Sequence, residues 1–122
     1  MNTEIRNSVS EFIGDRDVFT TVNFPIETKK FICLVTDVQR HISSTGKIGY
    51  QVTIVIDYTG KGVINTVLGC YGSTIERFID CAKVVRNSES LSRIMEDTIG
   101  LAFEIPLYKN GNYINIGFLS DK

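Results

Sequence analysis

From Lys30 onward apolar residues recur at every second position, the spacing that puts them on one face of an extended chain. Lys30 to Gln39 is a run rich in β-branched residues. Lys47 to Tyr58 alternates fully, with Tyr50, Val52, Ile54, Ile56 and Tyr58 on one face and Gln51, Thr53, Val55 and Asp57 on the other. Tyr58-Thr59-Gly60-Lys61-Gly62 reads as a glycine-bearing turn, and Val63 to Tyr71 as a third strand with Ile64, Thr66, Leu68 and Cys70 on one side. Connections this short favour an antiparallel meander, because parallel neighbours need long crossovers.

The period then changes. Ser73-Thr74-Ile75-Glu76 has the form of a capping box, and Ile75, Phe78, Ile79, Ala82 and Val85 follow at helical spacing. A second helical piece is expected over Ser88 to Thr98, ending at Gly100. Leu101, Phe103, Ile105 and Leu107 alternate next; Lys109-Asn110-Gly111-Asn112 carries the Asn-Gly hairpin signal; Ile114, Ile116 and Phe118 alternate again. Ahead of all this, Ile5, Val9, Phe12 and Ile13 form a helical stripe that stops at Gly14, and Val18 to Phe24 reads as a short extended edge segment before Pro25. An N-terminal extension over residues 1–28 and a β domain over residues 29–122 are therefore expected. The stripe needs burial against the domain's exterior or a second protomer, and a protomer contact is the expectation, making the protein a homo-oligomer, a dimer first of all.

Composition removes several functions. A chain of 122 residues, 43% hydrophobic and 22% charged, holds one core and has no need of a disulfide or metal staple. Its apolar runs are far shorter than the ~20 residues of a membrane span and its N-terminus lacks a signal pattern, so a cytoplasmic protein without membrane contact is expected. Cys33, Cys70 and Cys81 show no C-x-x-C spacing, and His41 is the single histidine, so neither a metal site nor a cofactor is implied. His41 lies in a polar stretch read as a loop, with no carboxylate close in sequence to orient it, and Gly46-Lys47 and Gly60-Lys61-Gly62 are not phosphate loops. A binding protein rather than an enzyme follows.

Charge is nearly balanced overall but segregated along the chain. Residues 1–28 carry five acidic against two basic side chains, residues 29–72 five basic against two acidic, and the remainder is close to neutral. The order strand, strand, strand, helix, strand, strand is that of the OB-fold, a five-stranded Greek-key barrel with a helical insert between its third and fourth strands; here it would carry an N-terminal helical extension. An open sheet with helices on one face, or an SH3-like barrel, does not explain a helix at that one joint.

The basic first strand, the Gly46-Lys47-Ile48-Gly49-Tyr50 run leading into the second, the Gly60-Lys61-Gly62 turn and the closing Ile99-Gly100-Leu101 to Tyr113-Ile114-Asn115-Ile116 resemble phage-encoded single-stranded DNA-binding proteins of the OB class. The resemblance covers residues 30–119 and is one of pattern, without a diagnostic motif. It implies binding of single-stranded DNA in phage replication or recombination, commonly as a dimer or higher oligomer. Such binding needs cations for phosphates and rings for bases. The chain supplies Arg40, His41 and Lys47 between the first two strands, Lys61 beside Tyr58 in the next turn, Lys109 between Tyr108 and Tyr113 in the last hairpin, and Tyr50 and Tyr71 near strand ends. Tyr50 and Tyr58 share parity with the apolar row and fit packing as well as stacking. The alternative function is an OB-like protein-protein interaction module.

Overall fold

The alternation read between Lys47 and Tyr58 becomes a central strand whose two faces have different fates. In the computed structural model, residues 9–20, 24–59, 62–84 and 90–117 are described. The elements are β1 (Asp17–Phe19), β2 (Lys29–Ile42), β3 (Ile48–Thr59), β4 (Gly62–Tyr71), α1 (Ser73–Ala82), α2 (Leu91–Glu96), β5 (Ala102–Asn110) and β6 (Tyr113–Ile116). They form one sheet in the order β1-β4-β3-β2-β5-β6, antiparallel throughout except for β1, which runs parallel to β4. The sheet curls into a half-barrel, and β6 comes back beside β4 without pairing with it.

On the concave face, Tyr50, Val52, Ile54 and Ile56 of β3 are buried with Cys33 and Val35 of β2, Ile64, Leu68 and Cys70 of β4, Ile105 and Leu107 of β5, and Ile114 and Ile116 of β6. Helix α1 presses Ile75, Phe78 and Ile79 into this core, and α2 adds Ile94 and Met95. Fully burying each such side chain is worth about 1.5–3 kcal/mol, so the curl is held by this one apolar lining. The mainly β, barrel-like character, the meander and the helix between β4 and β5 follow the sequence pattern.

Several expectations need correction. The sheet has six strands rather than five, because Asp17–Phe19 adds to the edge of β4 at Gly62, Val63 and Ile64. Strand β2 runs on to Ile42, pairing Arg40 with Tyr50, His41 with Gly49 and Ile42 with Ile48, so Arg40 and His41 are strand residues and the loop is only Ser43 to Lys47. Cross-strand pairing has overridden a polar composition that read as loop. No capping box forms at Ser73: the turn out of β4 is taken at Gly72, which occupies the cap position, and Ser73 is already helical. Helix α2 is shorter than expected, since Ser90 caps it by accepting from the Arg93 amide at 3.3 Å. Val85, Ser88 and Phe118 lie outside the described residues.

The N-terminal stripe also has a different destination. Residues 9–13 are helical, and Val9, Phe12 and Ile13 pack on Leu34, Val55 and Val63, a small second core on the convex face of the same chain. Gly14, at φ 56°, ends the helix in the left-handed conformation that glycine adopts without a Cβ penalty. Arg16 then secures it: its guanidinium pairs with Asp57 of β3, donates to the Phe12 and Ile13 carbonyls at the helix end, and lies 5.4 Å from the Phe12 ring centre. Among the described residues the stripe is satisfied within the chain, which removes it as a ground for a protomer contact; Ile5 lies outside them.

Cys33 and Cys70 face the core, and their ionisation couples to folding. Burial, with Asp57 and Cys81 adding to it, holds the Cys33 thiol far above its ordinary range; burial pushes Cys70 up from 9.0 to about 12 against the pull of Arg77. The unfolded chain's thiols lose protons near pH 9 while the native ones keep theirs, so stability is intact below pH 9 and declines as the pH rises towards 12. Urea midpoints at pH 8 and pH 10.5 should therefore fall with pH, and fall less in a Cys33→Ala, Cys70→Ala double variant. An equal fall in both proteins counts against the coupling.

Candidate nucleic-acid interface

The convex face beyond the N-terminal helix is built from cross-strand rows. Asp37, Thr53 and Val67 stand in register across β2, β3 and β4, followed by Gln39, Gln51 and Gly69, and then His41, Gly49 and Tyr71. Opposite parity to the core row puts all nine on the outside, where Gly49 and Gly69 leave the surface low. Between this face and the β5–β6 hairpin lies an open groove of about 670 Å³. Gln51 of β3 and Thr66, Val67, Gly69 and Tyr71 of β4 form one wall; Asn112, Tyr113, Ile114 and Asn115 form the other. Its volume falls within the range of ligand sites, roughly 300–1,000 Å³.

Two of the sequence-predicted residues, Tyr71 and Tyr113, line this groove from opposite walls. Tyr113 is 74% exposed, because its parity in the hairpin is opposite to that of the buried Ile114. Tyr71 is placed by two glycines. A Cβ on Gly49 would overlap the Cys70 carbonyl and the Tyr71 ring, and one on Gly69 would come within 2.9 Å of the ring's Cε2. The ring thus occupies the space that side chains at 49 and 69 would take. Its hydroxyl reaches His41, whose Nδ1 lies 2.6 Å away, with the two rings edge to face at 6.1 Å.

The other predicted residues are not gathered here. Tyr50 is buried in the core, 5% exposed, with its hydroxyl 2.8 Å from Ser92 Oγ, so no face of its ring is open for stacking. Tyr58 stands at the far end of β3, stacked with Phe24 and Phe31 at centroid distances of 5.8 and 6.3 Å. Arg40 is exposed but shares the parity of Tyr50, on the side of the sheet away from the groove. Tyr108 is half-buried beside Thr28 and Gly117, and Lys109, also half-buried, is opposite Ile114 on the parity of Leu107. Lys47 is exposed in the loop after β2, which closes through the Ser43 amide to the Lys47 carbonyl at 2.8 Å and the Lys47 amide to Ser43 Oγ at 3.0 Å. Lys61 lies outside the described residues.

Gln51, Asn112 and Asn115 are groove residues that sequence reasoning missed. The signal for them was present in Gly49 and Gly69, since a glycine inside a strand pattern marks a close approach to its surface. Among the described residues no Lys, Arg, Asp or Glu lines the groove, and those that do offer two phenol rings, three amides and a short apolar strip. Such a set has planar faces to stack against and donors and acceptors for flat polar edges. Among these described residues there is no charge with which to hold a phosphate.

Among the described residues no group of three or more His, Cys, Asp or Glu is placed to hold a metal ion, and no helix is long and apolar enough to cross a membrane. No protein family, curated protein or solved structure matches the chain.

The two glycines should differ in tolerance. Gly49→Ala meets backbone and is expected to lower stability by about 1–3 kcal/mol, whereas Gly69→Ala meets only the ring edge and should cost less, displacing Tyr71 instead. Denaturant midpoints rank the pair; the reverse order would contradict this placement of the Tyr71 ring.

Proposed function

We propose that the protein is a non-enzymatic single-stranded DNA-binding protein of the OB class, sequence-tolerant, holding bases in the groove between β4 and the β5–β6 hairpin. The observation that carries this reading is Tyr71 and Tyr113 facing one uncharged groove lined with amides. Unpaired bases expose π-faces that stack on such rings, each worth about 1–3 kcal/mol, whereas paired bases do not. The class is supported by the neighbour order of β2 to β6 and by β6 lying beside β4, where a five-stranded barrel closes on the two outer strands of the set, its third and fifth in sequence. The setting we propose, phage DNA replication or recombination, rests on the resemblance of residues 30–119.

Because no cation lines the groove among the described residues, phosphate contacts come from its surroundings, with exposed Lys47 the foremost of those described. Affinity should then depend weakly on salt, with a log–log slope of about 1–2 rather than the steep values of phosphate-tracking proteins.

One feature favours a second reading. Strand β1 pairs with β4 only as far as Ile64, so from Asn65 on this edge has no hydrogen-bonded strand partner among the described residues, β6 lying beside it unpaired. An unpaired edge of this kind can take an extended peptide by strand addition, as an interaction module would.

Fluorescence anisotropy with a labelled dT oligomer and a duplex of equal length tests the first reading. Tighter binding of the single strand is expected, with a shallow salt slope and a loss of about fivefold or more in Tyr113→Ala. Equal affinity for duplex and single strand, or a Tyr113→Ala variant that binds like the wild type, would go against it and leave the peptide reading.

A further inference from the structure

We infer that His41 is a positioning residue that acts on the groove through Tyr71, fixing its ring as a prepared surface for a base, and that it is not a phosphate contact. This deepens the DNA-binding reading for its ligand; the tether itself is a property of the free chain.

Register makes the arrangement possible. His41, Gly49 and Tyr71 are consecutive partners across β2, β3 and β4, so on the convex face nothing but the position of Gly49 separates the imidazole from the phenol. Any side chain at 49 would fill that position, and the glycine leaves it to the Tyr71 ring. The ring bridges the central strand and meets His41 Nδ1 at 2.6 Å. With Nδ1 unprotonated the nitrogen accepts from the Tyr71 hydroxyl; with Nδ1 protonated it donates to the hydroxyl oxygen, so either tautomer closes the bridge. Three strands thus hold one ring by its root, its edge and its tip.

The consequence is energetic. A tyrosine on a sheet surface turns about two side-chain bonds, and a base stacking on it must stop that motion. A ring already stopped by packing over Gly49 and a bond at its hydroxyl spares that cost, a gain of about twofold to tenfold in affinity. The role predicted from sequence, a cation for phosphates, fits the geometry less well, because the nitrogen nearest Tyr71 is engaged with an uncharged partner and none of the described residues lining the groove beyond it is charged.

The test uses the full chain with His41→Ala, His41→Asn, His41→Lys, Tyr71→Phe and the His41→Ala, Tyr71→Phe double variant. Anisotropy with a labelled dT oligomer is read alongside NMR of isotope-labelled tyrosine in the free protein, the Tyr71 signal being assigned by its loss in Tyr71→Phe. His41→Ala and Tyr71→Phe should each weaken binding about twofold to tenfold, and the double variant no more than the worse single. His41→Asn, whose amide offers a donor and an acceptor at the same branch, should regain the affinity, and His41→Lys should not. In the free protein the Tyr71 ring signal should become motionally averaged in His41→Ala and return in His41→Asn. Additive losses, rescue by lysine with a steeper salt slope, or a ring signal indifferent to His41→Ala would each overturn the inference. A wild type that fails to bind the oligomer, with the ring signal behaving as expected, would instead sink the DNA reading and uphold the tether.

Discussion

The inward row of β3 is the constraint from which the rest of the structure follows. Tyr50, Val52, Ile54 and Ile56 need apolar cover along most of a 12-residue strand, and a flat sheet cannot supply it. Curling brings the inward rows of β2, β4, β5 and β6 around that row, and Phe78 of α1 fills the middle, fully buried and edge to face with Phe103 at 5.6 Å. Once the sheet has curled, its two ends must approach each other, and the space where β4 and β6 meet without pairing is set by the curl rather than by any local feature.

The convex face answers a different requirement. Where β2, β3 and β4 turn apolar residues outward, at Leu34, Val55 and Val63, the chain brings its own helical segment to cover them and anchors it through Arg16 and Asp57. Where the same strands turn Gln39, Gln51, Thr53 and two glycines outward, Val67 of β4 is left half-exposed on the groove wall and the surface stays open. The groove begins where the second core ends. Structure and candidate function are thus divided along the strands: one half of the convex face is spent on stability, the other left free for a ligand.

The five tyrosines show how position decides the use of one side chain. Tyr50 and Tyr58, on the inward parity, are absorbed by packing, one through a hydroxyl contact with Ser92 and the other in a ring stack with Phe24 and Phe31. Tyr71 and Tyr113, on the outward parity, reach the groove, while Tyr108 is half-covered by the chain near Gly117. Aromatic content alone does not distinguish these cases; strand parity and the size of the neighbouring residues do.

Alternation determined the strands, the meander and the inward row, because burial on one face of a strand leaves a period of two, and the change to helical spacing determined the helix after β4. Of the edge segment read over Val18 to Phe24, the start was legible, the strand being Asp17–Phe19 with residues 21–23 outside those described, although not that it would lie parallel to β4. What the sequence did not carry was anything dependent on two distant segments meeting. It could not show that the apolar stripe of residues 9–13 finds its partner on its own sheet, since Leu34, Val55 and Val63 become one patch only once three strands are in register. It could not separate Arg40 from His41, which are adjacent in the chain and on opposite faces of the sheet. Placing Tyr71 and Tyr113 on the walls of one groove likewise needed the curl, and the pairing of His41 with Tyr71 needed the empty place at Gly49. Local pattern is set by whether a side chain meets water or core, which each residue type reports for itself; the site is set by distances across strands, which only the folded sheet fixes.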